Sequence, residues 1–188
     1  MAPSILTEVD GGVGIITLNR PERDNALDDA MVAELLHALD GMAGDESVRV
    51  VVLSGAGRSF CAGGGTGGEA ADAQTAAEML AGLARLPKPT VARVQGPAGG
   101  AGVGLVAACD IAIAAFDAWF ALVGPDVCPH VAAAMGERHA RRYRLTAERF
   151  SAAEAYRIGL IHEMAADEAA LDEAVGQIVD AVLGNPSA

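Results

Sequence analysis

The chain has 188 residues, 52% of them apolar, 20% charged and 4% aromatic, with a formal net charge of −12. That length and apolar content suit one well-cored domain with at most a small appended element, and they exclude a disordered chain. The acidic balance argues against nucleic acid or an anionic membrane as partner, since both need a basic surface, although a few local arginines or backbone donors can still hold a phosphorylated ligand.

The N-terminus, MAPSILTEVDG, lacks a basic start and a long apolar run, so no signal peptide is expected. Residues 99–115 form the most apolar stretch, but glycines and Asp110 interrupt it, so no membrane span is expected and the chain reads as cytoplasmic. VGIITL, residues 13–18, predicts a buried strand closed by Asn19-Arg20-Pro21. Asp28 or Asp29 can cap a helix whose apolar positions Met31, Val32, Leu35, Leu36, Leu39 and Met42 keep the 3.6-residue period. Gly44 and Asp45 end it. A second buried strand is predicted over 48–53 and a helix over 76–86, stopped by Pro87 and Pro89. A strand follows over 91–95, then GPAGGAGVG and an apolar helix to about Cys109. Short strands are predicted over 110–115 and 119–122.

From Pro129 onward the pattern is helical. Ser151 and Glu154 form a capping box, S-A-A-E, before residues 155–158, and an amphipathic helix spans 168–183. Strand and helix alternating with short links predict an α/β domain. The cysteines, Cys61, Cys109 and Cys128, are odd in number, lack a CxxC pair and read as buried free thiols. His37, His139 and His162 have no metal spacing between them, and no metal is expected.

Two glycine-rich loops carry the chemistry. SFCAGGGTGGEA, residues 59–70, follows one strand, and GPAGGAGVG, residues 96–104, follows another and opens a helix. Gly102-x-Gly104-x-x-Ala107 matches a loose dinucleotide fingerprint, but Asp117 comes too soon to hold a ribose. A phosphate-binding P-loop fails, because neither glycine run is followed by Lys-Ser or Lys-Thr. Two loops, each leaving a strand, can each offer an unpaired N–H, and a helix starting near Ala101 adds its positive end. Two such donors meeting at one oxygen form an oxyanion hole that stabilises an enolate. Close strand–helix packing explains the glycines equally well.

Four segments carry a family resemblance: LNRPERDNAL (residues 18–27), VRVVVLSGAGRSFCAGG (48–64), LPKPTVARVQGPAGGAGVGLVAACDIAIAA (86–115) and LTAERFSAAEAYRIGLIHE (145–163). Together they resemble the enoyl-CoA hydratase/isomerase, or crotonase, family. GVGLVAACDIAIAA and GERHARRYRLTAERFSAAEA most resemble its methylglutaconyl-CoA hydratase branch. The resemblance implies a crotonase-like spiral of ββα units with an acyl-CoA site over residues 1–128, and a helical C-terminal region over 129–188 that is incomplete against the family pattern. It also implies a homotrimer or dimer of trimers, and an acyl-CoA substrate whose coenzyme A is part of the substrate rather than a separate cofactor. By position, the oxyanion donors fall on the N–H groups of Gly64 and Ala101. The CoA-binding positions fall on Arg23, Asn25, Ala26, Ala62 and Gly100. Arg23 can pair with a CoA phosphate or simply be solvated, and Asp110 is expected to start a strand and satisfy nearby backbone N–H groups.

The sequence also departs from the family. Ala101 stands where glycine is common, and Gly104 stands where many hydratases carry a catalytic Glu. The segment after WFAL is short and lacks the second Glu, and GTGGEAADAQ is too short for the usual helical lid. These deficits reflect either loop residues that the 188-residue sequence omits, which is the expectation because active-site loops are mobile, or a truly shortened chain. The remaining acid/base candidates are Asp126 and His130, although a turn role for Asp126 and a surface or interface role for His130 compete. The expected reaction is hydration of an α,β-unsaturated acyl-CoA through a thioester enolate. An enoyl-CoA isomerase or a non-catalytic acyl-CoA-binding paralogue is the alternative.

Overall fold

The computed structural model describes residues 3–63, 71–124 and 128–186. In chain order its strands are Ile5–Asp10 (β1), Val13–Leu18 (β2), Val50–Gly55 (β3), Thr90–Val94 (β4), Ala98–Gly99 (β5), Ile111–Ala115 (β6), Trp119–Ala121 (β7), Phe150–Ser151 (β8) and Glu163–Ala165 (β9). Its helices are Asp29–Gly44 (α1), Ala73–Ala84 (α2), Ala101–Ala108 (α3), Pro129–Met135 (α4), Glu137–Thr146 (α5), Ala152–Arg157 (α6) and Glu168–Gly184 (α7). The main sheet runs in the order β1-β2-β3-β4-β6-β9. β1 pairs antiparallel with β2, and every later pair in that sheet is parallel.

A parallel sheet is stable when both faces are covered, and the sequence of β3 meets that demand. All six of its residues are buried. Because side chains alternate across a strand, Val51 and Leu53 join the core under α1, α2 and α3, while Val50 and Val52 join a smaller core against Leu171, Val175 and Val179 of α7. The apolar run therefore serves two cores at once.

The chain repeats one device. β4 lies in the main sheet, β5 in a second small sheet, and α3 follows. β6, β7 and α4 repeat the order, with β5 and β7 parallel. β3 does the same with a single parallel bridge, Cys61 to Ala98, before α2. Each turn of chain thus places one extended segment beside its predecessor's, and the segments between the two sheets bring the glycine loops together.

Several expectations are refined. β1, β5, β8 and β9 are not predicted from the sequence, β3 runs two residues further on than expected, and α2 begins at Ala73, capped by the Asp72 carboxylate on Gln74 and Thr75 N–H. Ser151 caps α6 by accepting from Glu154 N–H at 3.3 Å. The reciprocal arm of the box is missing, because the Glu154 carboxylate instead accepts from Tyr143 Oη at 2.7 Å and from Arg157. Asp110 acts as expected. Its Oδ2 accepts from Thr90 N–H and Oγ1, both at 2.8 Å, which ties the start of β6 to β4.

Asp28 joins the β2–α1 connection to the helix it caps. It accepts from Met31 N–H at 2.9 Å and takes both Arg20 guanidinium nitrogens, at 2.5 and 2.6 Å. The Arg20 hydrogen bonds hold the Asp28 carboxyl down at about 2, below its ordinary 3.8, while partial burial opposes them. A carboxylate with a depressed folded pKa stabilises the protein above its unfolded pKa and loses that contribution as pH falls. Asp28 is therefore expected to contribute on the order of 1–2 kcal/mol at pH 7, lost between about pH 4 and pH 2. Urea unfolding of Asp28→Asn should show that loss at neutral pH and a flatter acid limb than the parent.

Candidate active site

The site is assembled by a buried asparagine. Asp24 and Asn25 both adopt left-handed backbone conformations, at φ 51° and 54°, a region that Asn and Asp tolerate better than most residues. This turn drives the Asn25 side chain into the interior, where it is fully buried. Its Oδ1 accepts from Arg20 N–H at 2.8 Å, and its Nδ2 donates to the carbonyls of Ala56, Ser59 and Phe60 at 3.0, 2.8 and 3.2 Å. One side chain therefore fastens the Arg20–Leu27 segment to the start of the first glycine loop. Asp24 adds to this by accepting from Ser59 Oγ at 2.8 Å and Arg58 Nε at 3.2 Å, which lowers its pKa.

The two loops then run side by side. Phe60 and Cys61 N–H donate to Pro97 O, and Gly99 N–H donates back to Cys61 O at 2.9 Å. A Cβ on Gly102 would lie 2.3 Å from Cys61 O, and one on Gly63 2.3 Å from Gly99 O, so only glycine permits this approach. Gly63 C=O accepts from Leu27 N–H at 2.8 Å, and its N–H points at Cys61 Sγ. Burial pushes the Cys61 thiol up to about 12, leaving it an inert packing group. The expected packing role of the glycines is thus real, and it also fixes where α3 begins.

Ala101 is the first residue of α3, and its N–H has no acceptor among the described residues. Gly100, at φ 49°, caps the helix, and its own N–H donates to Ala121 O at 2.9 Å. Both residues line a cavity of about 490 Å³. The other described residues on its walls are Ala73, Ala76, Ala77, Leu80 and Ala81 of α2, Gly104 of α3, and Leu122, Val123, Gly124, Cys128, Pro129, His130, Val131 and Arg144. The lining is mostly hydrocarbon with an unpaired N–H at a helix start, an arrangement that suits an apolar group attached to a polarised carbonyl.

The other expected residues fall as follows. His130, in the first turn of α4, lines this cavity and also a neighbouring one bounded by Asp110 and His162. Gly64 and Asp126 lie outside the described residues. Arg23 is partly exposed, with Nη1 3.6 Å from Asp28 Oδ2. Ala62 is exposed, with its N–H donating to Asp24 O at 2.8 Å. Ala26 N–H donates to Arg23 O, and its C=O accepts from Arg20 Nη2. Asn25 requires a correction: its side chain is wholly committed inside the protein and is not presented to a ligand. Sequence reading missed the α2 wall and Arg144. The signal for α2 was available, because residues 73, 76, 77, 80 and 81 share one helical face. Arg144 is one of several arginines in residues 138–149, and nothing local singles it out.

Comparison with known proteins follows this geometry. Residues 8–186 match the family model described as enoyl-CoA hydratase/isomerase. The 1,2-epoxyphenylacetyl-CoA isomerase of Escherichia coli is 36% identical over 93% of this chain and 74% of its own length. The structure of an enoyl-CoA hydratase from Mycobacterium smegmatis superposes with a TM-score of 0.90 at 35% identity, covering 98% of this chain and 78% of that one. A monofunctional enoyl-CoA isomerase from the same organism superposes with a TM-score of 0.86 at 33% identity, covering 98% and 87%.

The asparagine clamp is directly testable. Asn25→Asp would set a carboxylate against three carbonyl oxygens in a buried site. The expected loss is about 3 kcal/mol or more in urea unfolding at pH 7. A loss under about 1 kcal/mol would contradict the clamp.

Proposed function

We infer the reaction from a plain premise: this chain belongs to the enoyl-CoA hydratase/isomerase family, has its crotonase fold and is an enzyme acting on acyl-CoA. The chemistry we propose is hydration of an α,β-unsaturated acyl-CoA. The observation that carries it is the Ala101 N–H, without an acceptor among the described residues, at the wall of an apolar cavity. Thioester oxygen placed there gains negative charge as the double bond is attacked, and a preorganised donor stabilises it. Gly64 N–H is the proposed second donor. His130 is the proposed acid/base: it takes a proton from water as the water oxygen bonds to Cβ, the π electrons move through Cα to the thioester oxygen, and the enolate then takes a proton at Cα. The net change is addition of one water, and the reaction as written needs no cofactor beyond the CoA of the substrate. Arg23, Ala62 and Gly100 are the proposed neighbours of the CoA and thioester portions.

A second reading, isomerisation, is favoured by one feature. Among the described residues no carboxylate lines the cavity, and a single imidazole can move a proton from one carbon to another without activating water. Among the described residues no helix is long and apolar enough to cross a membrane. A homotrimer or dimer of trimers remains our proposal for assembly, with Phe116, Leu145 and Tyr156 as exposed apolar surface available to it.

Mass spectrometry after incubation with crotonyl-CoA, methylglutaconyl-CoA and a 3-enoyl-CoA separates these readings. Gain of one water from a 2-enoyl substrate supports hydration, whereas an unchanged mass with a shifted double bond supports isomerisation. Acyl-CoA binding without turnover of any of them contradicts both. Ala101→Pro removes the N–H at a helix position that tolerates proline, and kcat should fall about 10²–10³-fold with the fold retained.

A further inference from the structure

We infer that Leu80 is the depth stop of the acyl cavity, and that the missing side chain at Gly104 is what allows it to stand there. This rests on the acyl-CoA reading of the cavity. Five α2 residues line the cavity, and four of them (Ala73, Ala76, Ala77 and Ala81) contribute only a methyl group. Leu80 is the one branched side chain that α2 sends into it. Across from Leu80, α3 presents Gly104, and a Cβ built there would lie 2.7 Å from Leu80 Cδ1, 3.3 Å from Cδ2 and 3.6 Å from Cγ. Leu80 thus fills the volume that a side chain at position 104 would take, and it is only 6% exposed.

Two consequences follow. The α2 and α3 walls bear no charged side chain, so the part of the tail that lies against them is hydrocarbon, while Arg144 lines the same cavity elsewhere. The length of that tail is set by the Leu80–Gly104 pair. The atom nearest the virtual Cβ is the tip of a flexible side chain, so adding a methyl at 104 displaces Leu80 rather than backbone. Buried as it is, Leu80 yields toward the cavity and shortens it. Trimming Leu80 to Ala, which removes its Cγ and both Cδ carbons, does the opposite and opens room for about three carbons of tail.

The test measures equilibrium binding of butyryl-, octanoyl- and dodecanoyl-CoA to the full chain and to Leu80→Ala, Leu80→Val, Gly104→Ala and the Leu80→Ala/Gly104→Ala double variant. Each additional methylene buried in an apolar cavity is worth roughly fourfold in affinity. Leu80→Ala should therefore raise the preference for dodecanoyl- over butyryl-CoA by about tenfold or more. Leu80→Val should shift it in the same direction by less, Gly104→Ala should reverse it, and the double variant should return toward the parent. The milder Leu80→Val and the surface-independent Gly104→Ala keep the test decisive if Leu80→Ala does not fold. An unchanged chain-length preference in variants that still bind butyryl-CoA overturns the depth-stop assignment. Failure of the parent chain to bind any of the three overturns the acyl-CoA reading instead.

Discussion

The structure depends on the parallel alignment of two glycine loops, held so closely that α3 must begin where its first N–H has no acceptor among the described residues. Cys61 and Ala98 pair, Gly99 N–H bonds Cys61 O, and the first turn of α3 packs onto the Cys61 carbonyl. Every helix starts with orphan N–H groups, and most are satisfied by a capping side chain. Asp28, Asp72, Ser151 and Asp167 do this for α1, α2, α6 and α7. Gly100 cannot, because it has no side chain. The start of α3 opens on the apolar cavity, its own sequence leaves it uncapped, and the positive end of α3 adds to the donor there.

That arrangement is supported at some distance from the cavity. Asn25 ties together segments more than thirty residues apart in sequence and lies beneath the first loop without facing solvent. Asp28 anchors the same connection to α1 through Arg20. Polar residues in this region therefore act by positioning backbone, while the described lining of the cavity is hydrocarbon together with the Ala101 N–H and the residues His130, Cys128 and Arg144. The scaffold of the enoyl-CoA hydratase/isomerase family is present across residues 8–186, whereas a carboxylate at the cavity wall is absent among the described residues.

Much of this was legible in the sequence. The long apolar strands, the Asp28-capped helix and the position of Ala101 at a helix start follow from periodicity, capping and glycine spacing. β8 and β9, at two and three residues, are too short to carry a period and exist because partner strands accept them. The Asn25 clamp was hidden for a different reason: sequence shows a polar residue in a turn, but not which way a left-handed backbone turns its side chain. The α2 wall could have been read from its alanine face, yet nothing local says whether a face of small residues meets a core, a partner or a ligand.

The central claim is that Ala101 N–H polarises a thioester carbonyl, and isotope-edited spectroscopy reads that contact at both ends. The account predicts that binding of an acyl-CoA carrying a ¹³C thioester carbonyl lowers the carbonyl stretch from its value in water and moves the Ala101 amide proton resonance downfield. A bound thioester whose carbonyl stretch stays at the solution value, together with an Ala101 amide that does not respond, would contradict it.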